Sequence, residues 1–484
     1  MFLKNAKYKF AVYVINIVVV IITTPYIING FGVETYGLIT SINVSLDYIA
    51  IFVTALSIIL GRSLIYSKST SEVNEKISEV YITYSLIVTI SMFIFSIFLY
   101  NTNYDKEIII FLVITIISFF IRMFMSVYRA IFFSKNMLYM SSVSDFIYKS
   151  VFYSIIAISI HFYNIGLIYY SLMLLCLTGV VLFIFNRVVS EIGFKWTIVK
   201  PRLKNIYEML KSSSWMVLNQ LGAMLYFSLG IILLNKYQTL KVVGLYSISL
   251  LIITQIKNIS SLVNNLFEPK ILEYFKEGKL EDAYNCYLGS MLISGVVLSI
   301  ISGTLFSNLS DFYTLWIGEF DQDLVILTQL MLVHLPLSAT SAGIWVLALG
   351  LKKDKYSGLS TLIFGFINII LILAIETFNI QYEIQYSYII ICTITMFMKN
   401  NIFMPYMLKG NKFSILTFYT YLFMTIVIAT VTIYTNKIIS DLIIVNTVTD
   451  FIFRLTAATT LNLLLVVVII LPFAKYQDFK KLIG

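Results

Sequence analysis

The chain reads as an all-α, polytopic membrane protein of about fourteen transmembrane helices, and three observations predict that class. Hydrophobic residues make up 59% of its 484 positions and charged residues only 12%, with a mean hydropathy of +0.89, far outside the soluble globular range. About fourteen apolar runs each approach or exceed the roughly 20 residues a bilayer-crossing helix needs. Most of the basic residues then fall in every second connection between those runs. The same composition excludes other classes. No polar block is long enough to form a soluble domain, and the net charge of +9 is distributed by side of the membrane rather than as a nucleic-acid patch. Cys176, Cys286 and Cys392 are scattered, so neither a disulfide framework nor a metal site is expected. No cofactor is implied.

The runs lie near 10–29, 37–61, 79–100, 107–128, 139–160, 166–187, 212–234, 243–267, 284–307, 323–350, 356–377, 385–408, 413–436 and 450–473. The first is not read as a cleaved signal peptide, because it is too long and no small-residue cleavage site follows Pro25 and Tyr26. With the N-terminus inside, about 25 basic residues sit on the cytoplasmic side, against only Lys106, Lys236, Lys241 and Lys437 outside. That asymmetry predicts cytoplasmic termini and an even number of spans. The longest inner connection carries Arg187, Lys195, Lys200, Arg202 and Lys204 and reads as the joint between two halves.

The second half echoes the first at an offset of 207 residues: Gly37-Leu38 in YGLITSINVSLDYIAIF matches Gly244-Leu245 in VGLYSISLLIITQIKNI, and a charged inner loop follows each span. The expected organisation is a six-helix lobe over 1–190, a basic linker over 191–211, a second six-helix lobe over 212–408, and two further helices with a tail over 409–484. Two lobes in the same orientation imply a parallel repeat that encloses a cavity and rocks to open it on alternate sides.

A few charges lie inside the apolar runs. A charge at mid-membrane costs roughly 2.5–3.5 kcal/mol on insertion scales, so it faces a polar interior or a substrate path. The eighth run places Thr254, Lys257, Ser261 and Asn264 at helical spacing. The fifth places Asp145 and Lys149 four apart, where they can pair. The fourth carries Arg122 and Arg129 two turns apart on one face; Arg62 ends the second run and Lys399 sits toward the inner end of the twelfth. Each has a structural alternative, in snorkelling or internal pairing. Together they form a cationic cluster suited to phosphate, for which arginine's fork offers paired charge-assisted hydrogen bonds. Asp47, four residues after Asn43, reads as a counter-ion for such a lysine or as an ion-coupling site, with Asp145 the second candidate. His334, near Pro336, is expected to be a packed histidine bonded to a carbonyl freed by the proline. Tyr81, Tyr84, Tyr226 and Tyr246 read either as interfacial aromatics or as rings that stack on sugars. Arg454 is expected to anchor the last span near its outer end.

The run TPYIINGFGVETYGL (Thr24 to Leu38), followed by a span ending in Gly61 and Arg62, resembles polysaccharide flippases of the Wzx type, within the multidrug/oligosaccharidyl-lipid/polysaccharide exporter superfamily. The likeness in size, span number and repeated halves covers nearly the whole chain. It implies a two-lobe transporter that moves undecaprenyl-diphosphate-linked oligosaccharide from the inner to the outer leaflet for capsule- or O-antigen-type polymers. A polymerase and a chain-length regulator are the partner proteins it implies. Two alternatives stand beside it. A drug/cation antiporter of the same superfamily needs acids in its cavity, whereas interior bases outnumber interior acids here. A membrane polymerase or glycosyltransferase needs a large external loop, and the loop bearing Asp311, Glu319, Asp321 and Asp323 is small. A non-enzymatic transporter is expected, and the chain has no glycine loop of the GxxxxGK type for an ATP-driven pump.

Overall fold

A bilayer leaves a spanning segment no water for its amides, so each must satisfy them internally, and a helix is the single-segment solution. The computed structural model bears this out. It describes all residues except 1, 66, 68, 101–104, 136, 138, 164, 194–196, 198, 200–202, 319–320, 378–383, 409–412 and 475–484. Lys195, Lys200, Arg202 and Glu319 of the sequence reading lie outside the described residues. Thirteen described helices are long and apolar enough to cross a membrane, fourteen if one bent pair counts as a span.

The chain divides into two units, Met1–Gln220 and Leu221–Gly484. The first holds α1 (Phe2–Phe31), α2 (Val33–Ile65), α3 (Thr70–Tyr100), α4 (Lys106–Ser134), α5 (Tyr139–Tyr163) and α6 (Leu167–Glu191). A single residue joins α1 to α2. It is Gly32, whose φ of 85° is a left-handed conformation open to glycine without strain. Central to this unit is α4, which packs against α2 and α6 and buries Phe111, Phe132 and the α6 residue Phe185. The long connection between α6 and the next helix does not hang free. Its Val199 amide donates to Ser78 of α3 at 2.8 Å, and Asn74 of α3 donates to Thr197 at 3.2 Å.

Helix α7 (Leu203–Met224) begins inside the segment expected to be linker and runs across the boundary between the units. The second unit continues with α8 (Phe227–Tyr237), α9 (Leu240–Lys276), α10 (Leu280–Ile317), α11 (Gln322–Gly350), α12 (Asp354–Thr377), α13 (Ile384–Leu408), α14 (Ile415–Leu442) and α15 (Val448–Ala474). Leu240 at the start of α9 is 207 residues after Val33 at the start of α2, the offset of the sequence repeat. The seventh apolar run is not one straight helix: α7 and α8 meet at a 50° bend.

In this unit α10 packs against α9, α11, α14 and α15. Gly295, Ser299, Gly303 and Ser307 recur every fourth residue on the face of α10 that meets α14. A Cβ on Gly295 would come within 2.1 Å of the Thr425 methyl, and one on Gly303 within 2.1 Å of the Thr432 hydroxyl. Small residues at this spacing let two membrane helices approach until backbone carbonyls accept side-chain hydroxyls. Ser299 accordingly donates to the Thr425 carbonyl at 2.9 Å, and Ser307 to that of Ile433 at 3.0 Å. So α14, one of the two helices beyond the sequence repeat, is seated in the core of its unit.

Three spans contain π-helical turns, at Ile147–Val151, Leu335–Ala339 and Met398–Phe403. Each inserts about one residue into the helical register, which re-aims the side chains around it.

Candidate functional site

The first unit encloses a cavity of about 500 Å³ whose lining includes Asn43, Asp47, Arg122, Arg129, Asp145 and Lys149. Aromatic residues Phe119, Tyr148, Phe152, Tyr153 and Tyr170 complete much of the wall. Three helices supply the charges. Asp47 comes from α2, the two arginines from one face of α4, and Asp145 and Lys149 from α5 on either side of the start of its π turn.

The charges on α5 do not pair with each other. The Phe152 amide reaches back to the Ile147 carbonyl, and the Ser150 hydroxyl donates to Asn16 of α1 at 2.6 Å, pinning the widened turn to its neighbour. The expected Asp145–Lys149 pair is absent among the described ion pairs. Asp145 instead lies 3.7 Å from Arg129, both side chains about half exposed, and Arg129 also donates to Ser144 at 3.1 Å. Lys149 is left facing the cavity with Asp47 in its field.

Arg122 is held differently. Its guanidinium lies 5.5 Å from the centroid of the Tyr148 ring and 5.9 Å from that of Phe119, within the range of cation–π attraction. Its Nε is buried with no hydrogen-bond partner, and no described carboxylate lies within ion-pair distance. Asp47 shares the cavity and the field without reaching contact. An arginine fork supported by rings, with a donor unfilled, is arranged to accept an anion.

The remaining sequence candidates fall elsewhere. Arg62 is exposed in the last turn of α2 and is not part of this lining. Lys257 and Lys399 belong to the second unit. Lys257 rests with its Nζ 4.5 Å from the centroid of the Phe227 ring, which in turn meets His334 edge-on at 4.9 Å. Lys399 lies in the π turn of α13. Ser261 is exposed and bonded to the Lys257 carbonyl, while Asn264 accepts from Ser294 at 3.2 Å and serves the packing of α9 on α10.

Several expectations need correction. His334 is buried, but its ring bonds the Ser338 hydroxyl at 2.6 Å rather than a carbonyl. The carbonyls of the Leu335–Ala339 turn are taken by other donors, Asn400 at Ser338 and Asn401 at Leu337. Tyr84, Tyr226 and Tyr246 are fully buried with their hydroxyls on the carbonyls of Val53, Thr361 and Phe227, so none presents a face to a sugar. Tyr81 stacks on Phe124. Arg454 is buried and ties α15 to α10, bonding Asp311 at 2.6 Å and Asn308 at 2.9 Å.

The 50° bend was not foreseen from the sequence, although Gly222 lies just before it and its carbonyl accepts from the Leu225 amide at 3.3 Å. Three consecutive carbonyls at the bend each accept from a different helix: Leu225 from Asn368 of α12 at 3.0 Å, Tyr226 from the Tyr388 hydroxyl of α13, and Phe227 from the Tyr246 hydroxyl of α9 at 2.9 Å. The donors lie 19 to 162 residues away, beyond any local pattern.

No known protein-family description matches the chain. Over 419 residues it is 19% identical to an uncharacterized membrane protein of Bacillus subtilis (strain 168), EpsK, covering 83% of this chain and 82% of that one. Among solved structures it superposes on the lipid II flippase MurJ in an inward closed conformation with a TM-score of 0.71, at 15% identity over 98% of this chain and 99% of that one. It also matches an inward-facing multidrug resistance MATE family transporter of the MOP superfamily with a TM-score of 0.63, at 14% identity over 82% and 95%. The chain is an all-helical, multi-pass membrane protein with the fold of MurJ and the MATE transporters.

Proposed function

We infer that this protein is a flippase for a lipid-linked glycan, moving an undecaprenyl-diphosphate-linked oligosaccharide from the cytoplasmic to the outer leaflet by exposing its cavity alternately to the two sides. The observation that carries the reading is Arg122, a guanidinium held on two rings with an unfilled Nε, in a cavity that also holds Arg129 and Lys149. Three bases against two acids give the cavity the sign that a diphosphate needs. The likeness in fold to a protein named a lipid II flippase supports the same class of substrate. Both termini are assigned to the cytoplasm from the asymmetry of basic residues, and Arg62, Lys257 and Lys399 are retained as cationic positions that such a substrate meets during passage. Asp47 is the counter-ion that keeps Arg122 and Lys149 tolerable when the cavity is empty.

The rival reading, a drug/cation antiporter, needs a cavity of the opposite sign. Proteoliposomes loaded with a fluorescent undecaprenyl-diphosphate disaccharide separate the two. The wild-type protein should move the lipid between leaflets, and Arg122→Ala should slow it by about 100-fold, as expected when a charge-assisted bond pair is lost from a buried site. Unchanged flipping by Arg122→Ala, or uptake of an organic cation in place of the lipid, would overturn the proposal.

A further inference from the structure

A second, smaller chamber of about 260 Å³ adjoins the cationic cavity in the first unit, and the two share Thr54, Ser126 and Arg129 as a common wall. Its own lining adds Ser57, Ile58, Phe133 and Ser141. The two chambers differ in what they offer a ligand. The larger is bounded by charged donors.

The hydroxyls of the smaller one are mostly committed. Thr54 donates to the Ala50 carbonyl at 2.8 Å, Ser57 to the Ser126 carbonyl at 2.9 Å, and Ser126 to the Tyr84 hydroxyl at 2.8 Å. A hydroxyl has one proton and two acceptor sites, so these three turn lone pairs, not protons, toward any guest. Lone pairs repel a phosphate oxygen and accept from a ligand that is itself rich in O–H and N–H groups. The ring of Phe133 and the side chain of Ile58 supply an apolar wall, which suits the C–H face of a pyranose. At about 260 Å³ the chamber lies below the roughly 300–1,000 Å³ of sites for drug-sized ligands, a size that suits one ring.

Arg129 is the hinge between the two chemistries. It lies seven residues from Arg122 on α4, about 10 Å along the helix. Its partner Asp145 is distant at 3.7 Å and half exposed, and pairs of that kind are worth only about 0–1 kcal/mol. An incoming phosphate can therefore displace the carboxylate while the guanidinium stays in place.

We propose that this smaller chamber is a sugar subsite: it holds the monosaccharide attached directly to the diphosphate, while Arg122, Lys149 and Arg129 hold the phosphates. The inference rests on the flippase reading above and adds to it the place where the first sugar is read. Selection among glycans then begins at the reducing-end residue, with hydroxyl- and amide-bearing pyranoses favoured.

The test compares two probes on the purified full-length protein in detergent: farnesyl diphosphate, and the same lipid carrying N-acetylglucosamine on its terminal phosphate. Wild type should bind the glycosylated probe five- to ten-fold more tightly. The double variant Phe133→Leu/Ser141→Val, at two positions lining only the smaller chamber, should bring the two affinities within two-fold of each other while farnesyl diphosphate binds as before. If the double variant loses the sugarless probe as well, Ser141→Val alone carries the comparison, with a partial loss of the preference expected. Equal wild-type affinities for the two probes, or a preference that survives both variants, overturn the subsite and leave the flippase reading standing. Failure of both probes to bind wild type removes the anionic reading of the cavity and the subsite with it.

Discussion

The two units handle intramembrane polarity in opposite ways. The first gathers Arg122, Lys149 and Asp47 around an open volume and leaves contacts unmade: the Nε of Arg122 lacks a partner, and the Asp145–Arg129 pair is long. The second is richer in buried polar groups, yet most are closed against one another. The carbonyls at the α7–α8 bend are each filled by a donor from elsewhere, and His334 has Ser338. Arg454 has both Asp311 and Asn308. Exceptions among the described residues include Lys257, which rests against a ring, and the Nε of Arg454, which is buried without a partner like that of Arg122. A satisfied polar network rigidifies and specifies a core, whereas an unsatisfied one is costly unless a ligand completes it. The contrast therefore separates a unit with a charged cavity from one whose buried polar groups are mostly paired with one another.

That contrast can be broken at three points in the second unit. The largest effect should come from Asp311→Asn, which leaves the buried Arg454 charge without its carboxylate. Removing one partner of such a pair is strongly destabilising, and with Asp311 partly exposed the loss should be about 2–4 kcal/mol. A fall in melting temperature of several degrees in detergent would show it, and an unchanged melt would mean the pair is not structural. Next is Asn368→Ala, which uncaps the Leu225 carbonyl. An unmade buried bond costs about 1–3 kcal/mol, so a smaller destabilisation is expected, with the greatest gain in hydrogen exchange at residues 222–230. A uniform gain across the unit would argue against local capping.

The smallest effect is expected from Lys257→Met. An ammonium held by a ring gains about 0.5–2 kcal/mol from that contact, against a desolvation penalty of several kcal/mol, so an apolar replacement should leave stability unchanged or raise it. Clear destabilisation would reveal a structural lysine and move Lys257 into the closed class.

The spans were legible because length and apolarity are properties of the chain read in one dimension. The intramembrane charges were legible for the same reason: Arg122, Arg129 and Lys149 stand out against an apolar background wherever the helices put them. Their partners were not. A π turn adds one residue to the register without a compositional mark, and the turn at Ile147–Val151, which holds Lys149 and begins two residues after Asp145, accompanies the pairing of Asp145 with Arg129. The tyrosines show the same limit. Tyr226 and Tyr246 look like rings available to a sugar until packing brings each hydroxyl to a distant carbonyl, Thr361 of α12 for Tyr226 and Phe227 beside the bend for Tyr246. Acceptors that lie far along the chain claim side chains that were themselves correctly noticed.

One dimension of the fold has a mechanical consequence. Helices α9 and α10 run for 37 and 38 residues, about 55 Å each, and join at Gly278, where φ is 76°. The hydrocarbon core is only about 30 Å thick, so an upright pair would extend roughly 25 Å past it. Such an overhang is a lever: a tilt of about 10° at mid-membrane would displace its tip by several ångströms, roughly in proportion to its length. The Gly278 corner is thus a natural pointer for a spectroscopic label, where motions too small to resolve near the bilayer centre arrive magnified.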